Sequence, residues 1–159
     1  MINKSFETKH CKNFYCIVCN FIFNNKFLTV ENGFVLPILC NANFNSTNVI
    51  YIIICVKCYI YYVSQTKRKF PIRFKEHIRN ICNLDFCKVN SEISFHFDKK
   101  KHDLHNDLKF IIYKDNITDE NLRLSFETDL IHILLSLRFT VINQLIPSLF
   151  YIKKLSFLA

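Results

Sequence analysis

A chain of 159 residues, half of them apolar or Cys, can bury one sizeable core and is too short for two full-size domains. With 17 Phe, 7 Tyr and only 21% charged residues, the composition excludes a largely disordered chain. Its 21 Lys and Arg outnumber 13 Asp and Glu, giving a formal charge of +8, which favours a polyanion such as nucleic acid as partner. A merely basic surface is the plain alternative.

Residues 11–40 are Cys-rich and aromatic, without sustained helical or strand periodicity and with an expected turn at Glu31-Asn32-Gly33. They read as a module held by metal. A polar, turn-like stretch at 43–48 leads into a β-branched run, Val49–Cys55, of strand length. A second strand is expected over 59–63, so the two form an antiparallel hairpin with Val56 and Lys57 at its tip. Pro71 suits the first turn of a helix running to about Cys82. A polar stretch containing His96 and His102 follows, then a third strand over 108–113. Thr118 is the expected N-cap of a last helix, with Asp119 and Glu120 in its first turn and its end near Ser136. The order is β-β-α-β-α, an α+β class.

The greasy run 49–63 carries Lys57 and is shorter than the roughly 20 residues a spanning helix requires. Glu127, Asp129 and Arg138 interrupt the other apolar segment, 126–152, so no membrane partner is expected. No secretory leader is recognisable, and the expected compartment is intracellular and reducing. The 8 Cys then read as thiols or metal ligands. Cys55, Cys58, His96 and His102 match the number and type of ligands of a closed tetrahedral Zn²⁺ site, which would tie the hairpin tip to the segment after the first helix. Buried thiols with surface His residues are the alternative. Cys11, Cys16, Cys19 and Cys40 offer a second, all-thiolate Zn²⁺ site, while Cys82 and Cys87 have no assigned role.

Three further features converge. Tyr51 and Tyr62 lie on neighbouring strands, and Arg73 and His77 share a face of the first helix. Glu127 shares a stripe with Leu124, Leu130, Ile131 and Leu134 on the last helix. A carboxylate aimed at a core needs a partner, and Mg²⁺ held by one carboxylate, water and phosphate oxygens would be one. Arg73 could then hold a phosphate, and Tyr51, helped by His77, could position or deprotonate the attacking water. The alternatives are Glu127 paired with Arg123 or a Lys, Arg73 on a solvated face, and both Tyr as satisfied core aromatics.

The ordered set Asn48-Val-Ile-Tyr51, Cys55-Val-Lys-Cys58, Tyr62-Val-Ser-Gln-Thr66 and Arg73-Phe-Lys-Glu-His77 resembles the core of the GIY-YIG endonuclease family. More narrowly it resembles the subfamily at the end of Penelope-like retroelements, in which a Cys pair lies between the two Tyr motifs. His96 and His102 fall where that subfamily has a His pair, and the Glu127 helix with Asn143 resembles its metal-binding helix and closing Asn. Cys16, Cys19 and Cys40 resemble the leader before its nuclease core. About two thirds of the chain is covered. The resemblance implies a small three-stranded antiparallel sheet flanked by helices, cutting DNA with one divalent metal. It makes Tyr51, Tyr62, Arg73, His77, Glu127 and Asn143 the site residues, with Glu127 as the Mg²⁺ ligand. This sequence departs from the pattern at Val49 and Ser64, where the motifs have Gly, and at Leu130, where an aromatic is usual.

The expected organisation is a Cys-rich, zinc-stabilised leader over 1–47, a nuclease domain over 48–145 and a tail over 146–159. The first reading is a metal-dependent, retroelement-derived DNA endonuclease, nuclear in location, with Zn²⁺ as a structural ion and no small-molecule substrate. The second is a catalytically decayed, zinc-stabilised nucleic-acid-binding module whose basic surface includes Lys67-Arg68-Lys69. A structural zinc protein without nucleic acid is the third. Oligomeric state is left open.

Overall fold

Strand β3 (Val49–Cys55) is buried along its whole length, as an unbroken apolar run requires when both faces of a strand are covered. The computed structural model describes residues 7–13, 15–25, 27–29, 35–38, 40–82, 92–99 and 102–143. The expected turn at 31–33, the tail 146–159 and Cys87 lie outside them. On one side β3 pairs antiparallel with β4 (Ile60–Thr66), on the other with β5 (Leu108–Lys114).

The sheet has four strands rather than three. A two-residue strand β6 (Thr140–Val141) adds to β4 in parallel, so the order is β5-β3-β4-β6 and the sheet is mixed. Two residues are too few for a period to be read. A second, two-stranded sheet pairs β1 (Phe27–Thr29) with β2 (Val35–Pro37) in the leader.

Alternation along β3 divides the core into two layers. Val49, Tyr51, Ile53 and Cys55 face the layer of helix α1 (Phe70–Cys82), where Phe21, Phe70, Phe74 and Phe110 pack together with the closest ring centroids 4.5 Å apart. Ile50, Ile52 and Ile54 face Leu130, Ile131 and Leu134 of helix α4 (Glu120–Ser136). Each fully buried Phe or Ile contributes roughly 1.5–3 kcal/mol of transfer free energy, so the two faces of this small sheet supply most of the driving force. The leader joins both layers, with Val18, Phe21 and Ile22 in the first and Leu28 and Ile38 in the second. Tyr61 Oη donates to Thr29 O across the second.

Several expected boundaries move. The hairpin loop takes in residues 56–59, since Cys55 still pairs with Ile60. With one Gly in the chain, the left-handed positions fall to Asn48, Tyr59, Asn116 and Arg138. Asn tolerates such a φ best, and Tyr59 carries the strain of closing the hairpin. The polar stretch around His96 contains helix α2 (Glu92–Lys99), which buries Ile93 and Phe97, and the single turn α3 (Leu104–Asp107). The N-cap of α4 is Asp119 rather than Thr118: its carboxylate accepts from Leu122 N, leaving the Thr118 carbonyl to accept from Arg123. Leu124 is 44% exposed, because the first turns of α4 turn Arg123 inward instead. No helix among the described residues is long and apolar enough to cross a membrane.

Candidate functional site

Tyr51 is fully buried in the centre of β3, and a buried phenol must find a hydrogen-bond partner. It finds two on α1. Its Oη lies 2.7 Å from His77 Nε2 and accepts from Arg73 Nε at 3.3 Å, as the spacing of four along α1 allows. Burial first, then the neighbouring charge of Arg73, hold His77 down at about 3. Arg73 Nε–H donates to Tyr51 Oη, and the neutral His77 ring shares one proton with that hydroxyl through Nε2, its tautomer setting the direction. Burial also pushes Tyr51 up to about 12.

Glu76 completes this network from the surface side. It accepts two bonds from Arg68, at 2.6 and 2.7 Å, and one from Arg73 Nη1 at 3.0 Å. The Arg68 fork first, then Arg73, hold its carboxyl at about 2.

Tyr62 lies beside this cluster on β4, its ring edge-on to His77 at 5.9 Å between centroids. Desolvation pushes its phenol up. Hydrogen bonding to Ser64 and the charge of Arg73 oppose that shift, while the charges of Glu92 and Glu127 add to it. Tyr62 is therefore where the two helical layers meet electrostatically. Ser64, two residues further along the same face of β4, favours the ionised form of both phenols and sits in the position where the resemblance implied Gly.

Glu127 reaches this place from the opposite layer. Strand β6 pairs with β4 only at Ile60 and Tyr61, and beyond Val63 the edge of β4 has no strand partner among the described residues. The charge of the partly buried Glu127 acts on Tyr62, and burial lifts its own carboxyl to about 7. Arg123 does not neutralise it. That guanidinium is 2% exposed and is engaged by Gln65 Oε1 at 2.6 Å, Asn48 Oδ1 at 3.1 Å and the carbonyls of Ile117 and Thr118.

Asn143 is committed to the backbone. Its Oδ1 accepts from Val63 N at 2.8 Å and its Nδ2 donates to Val63 O at 2.5 Å, continuing the pairing of β6 with a side chain. It thereby holds the strand next to Tyr62. Glu92, at the start of α2, escapes a sequence reading because nothing in its spacing points at Tyr62. Its Oε1 is buried without a hydrogen-bond partner among the described residues, and its charge acts on the same phenol.

The hairpin tip carries a separate cluster. Cys55, Cys58, His96 and His102 each offer one ligand atom within 4.8 Å of the others. Cys58 Sγ lies 3.2 Å from His102 Nε2, and the two imidazoles are 4.6 Å apart. Cys55 is buried, and burial pushes its thiol up to about 11 against the opposing pull of the Lys57 and Cys58 amides. Two Cys and two His at this separation fit a closed Zn²⁺ site, and they join the tip to α2 and to the segment just before α3. In the leader, Cys11, Cys16 and Cys19 form a second group that could hold a metal ion. Cys40 is not part of it, and lies beside Lys114 and Asp115 instead. No protein-family model, curated protein or solved structure matches the chain.

Proposed function

We propose that this chain is a metal-dependent DNA endonuclease domain of the GIY-YIG type, hydrolysing phosphodiester bonds. One observation carries the reading: Glu127, with a carboxyl lifted to about 7 by burial and no ion pair among the described residues, acts on the same Tyr62 that Arg73 acts on from the other layer. A divalent cation such as Mg²⁺ would offset that burial, polarise a phosphate oxygen and acidify a bound water. Glu127 is the residue that would hold it.

The other side chains divide the work by exposure. Tyr51, fully buried, is the anchor that orients Arg73 and does not itself meet water or substrate. Arg73, with 29% of its side chain exposed, faces outward to neutralise a phosphate. Tyr62, half-buried and raised above its ordinary range, stays protonated near neutral pH and orients the attacking water by hydrogen bonding. His77, neutral, fixes the Tyr51 hydroxyl. Zn²⁺ at Cys55, Cys58, His96 and His102 is structural, and Lys67, Arg68 and Lys69 add to a basic approach for DNA.

Ser64 favours a second reading, a catalytically decayed nucleic-acid-binding module. A hydroxyl that acts on both phenols competes with water for the place where water would be oriented. A supercoiled-plasmid nicking assay with Mg²⁺ separates the two. The endonuclease predicts nicking that falls by at least about 100-fold in Glu127→Gln, the scale on which a single transition-state contact acts. Salt-sensitive binding with no nicking in the wild type supports the module and sinks the enzyme, and nicking that appears only in Ser64→Gly identifies this hydroxyl as the cause.

A further inference from the structure

The leader repeats the local chemistry of the hairpin tip. At the tip, Cys55 and Cys58, in a Cys-x2-Cys spacing, bring their sulfurs together. In the leader, Cys16 and Cys19 have the same spacing and bring theirs together as well. The turn is made by the 3-10 segment Val18–Phe21, and Cys16 N is itself held by Asn13 O at 3.1 Å.

A third thiol is brought in from outside the turn. Cys11 N donates to Cys19 Sγ at 3.3 Å, and the sulfurs of Cys11 and Cys19 are 3.4 Å apart. All three sulfurs lie within 4.8 Å of one another, and no fourth Cys, His, Asp or Glu joins them among the described residues. The group is not a loose surface feature. Cys19 is buried in the α1-layer core, and the turn is tied to the sheet by the Ile22 bridge to Phe110 and by Phe23 N donating to Phe110 O at 2.8 Å.

We infer that Cys11, Cys16 and Cys19 form a second metal site, a three-thiolate site for a thiophilic divalent cation such as Zn²⁺ whose fourth position is filled by an exogenous donor and not by Cys40. Three sulfurs and an outside donor satisfy a tetrahedral ion without the remaining Cys of the leader. Bound there, the ion pins the start of the leader to β5. The site is independent of the nuclease reading, and its test needs no DNA.

The full chain, loaded with Zn²⁺ and desalted, is assayed by elemental analysis, and its thiols are mapped by alkylation and peptide mass spectrometry before and after treatment with a strong chelator. Two zinc ions per chain are expected, falling to one in Cys16→Ser, to one in Cys58→Ser, and staying at two in Cys40→Ser. In the wild type, Cys11 and Cys16 are expected to be protected until the chelator is added, while Cys40 reacts equally before and after. This footprint stands even if a variant fails to fold. A single zinc per chain that Cys16→Ser leaves in place, or Cys11 and Cys16 reacting freely in the zinc-loaded chain, overturns the site. Loss of one zinc in Cys40→Ser overturns its three-thiolate form.

Discussion

On the α1 layer, Glu76 accepts from Arg68 with both oxygens and from Arg73, and these guanidiniums hold it at about 2. On the α4 layer, Glu127 meets no guanidinium among the described residues, since the nearest turn of its helix spends Arg123 on Gln65, Asn48 and two carbonyls, and burial lifts it to about 7. The same functional group thus lies at opposite ends of its range on the two layers of one sheet. A carboxylate already surrounded by donors has little left to offer a cation. One that is partly buried without a counter-charge gains from the arrival of a cation, and environments that push paired groups apart are how roles are divided in a site.

The largest effect expected from breaking this contrast is on the saturated layer. His77→Phe removes the ring partner of the Tyr51 hydroxyl and leaves that hydroxyl buried, at a cost of about 1–3 kcal/mol measured by urea unfolding. The pH dependence carries the sign. His77 is held at about 3 against an ordinary 6.5, so its contribution is present above 6.5 and is lost as pH falls through the window between them. His77→Phe is expected to remove that part of the acid loss, and an unchanged acid limb would mean that the ring is not held neutral.

Glu127 runs the other way. Its folded value, about 7, lies above the ordinary 4.5, so the wild type loses stability relative to Glu127→Gln as pH rises from 4.5 through 7 and loses no more beyond it. For a partly solvated group the gap is about 2 kcal/mol or less. Mg²⁺ at pH 8 is expected to narrow the gap by raising the wild type alone, read as a thermal shift. A gap that ignores Mg²⁺ would remove Glu127 as its ligand.

The smallest effect belongs to Glu76→Gln. Its partners are partly exposed, so the loss is about 1 kcal/mol or less at neutral pH. Glu76 is depressed, so its contribution is present above 4.5 and vanishes as pH falls towards 2. Thermal unfolding of wild type and variant is expected to converge in that window. A larger cost would show that Glu76 holds Arg73 in place, and that the two layers are less unlike than their charges suggest.

Local pattern was legible in the sequence wherever one residue's neighbours decide its state. The β-branched run placed β3 from Val49 to Cys55, Pro71 placed α1 to within a residue, and two Cys-x2-Cys spacings pointed at two turns that bring sulfurs together. Elements too short to carry a period were not legible: the two residues of β6, and α2, whose buried Ile93 and Phe97 lie in an eight-residue helix. Nor could spacing show that Leu124 would give way to Arg123, because that exchange depends on Gln65 and Asn48 arriving from other strands.

The sequence by itself determined which side chains could titrate, ligate or donate, and along which face of each element they run, because these follow from covalent chemistry and local period. Only the tertiary structure decided which were already spent. Arg73 and His77 are joined through Tyr51, Asn143 is committed to Val63, Cys40 stands apart from three other thiols, and Glu127 is partly buried with no ion pair among the described residues. Each of those outcomes turns on burial and on partners distant in the chain, and the free energy of a charge depends on what surrounds it rather than on what precedes it.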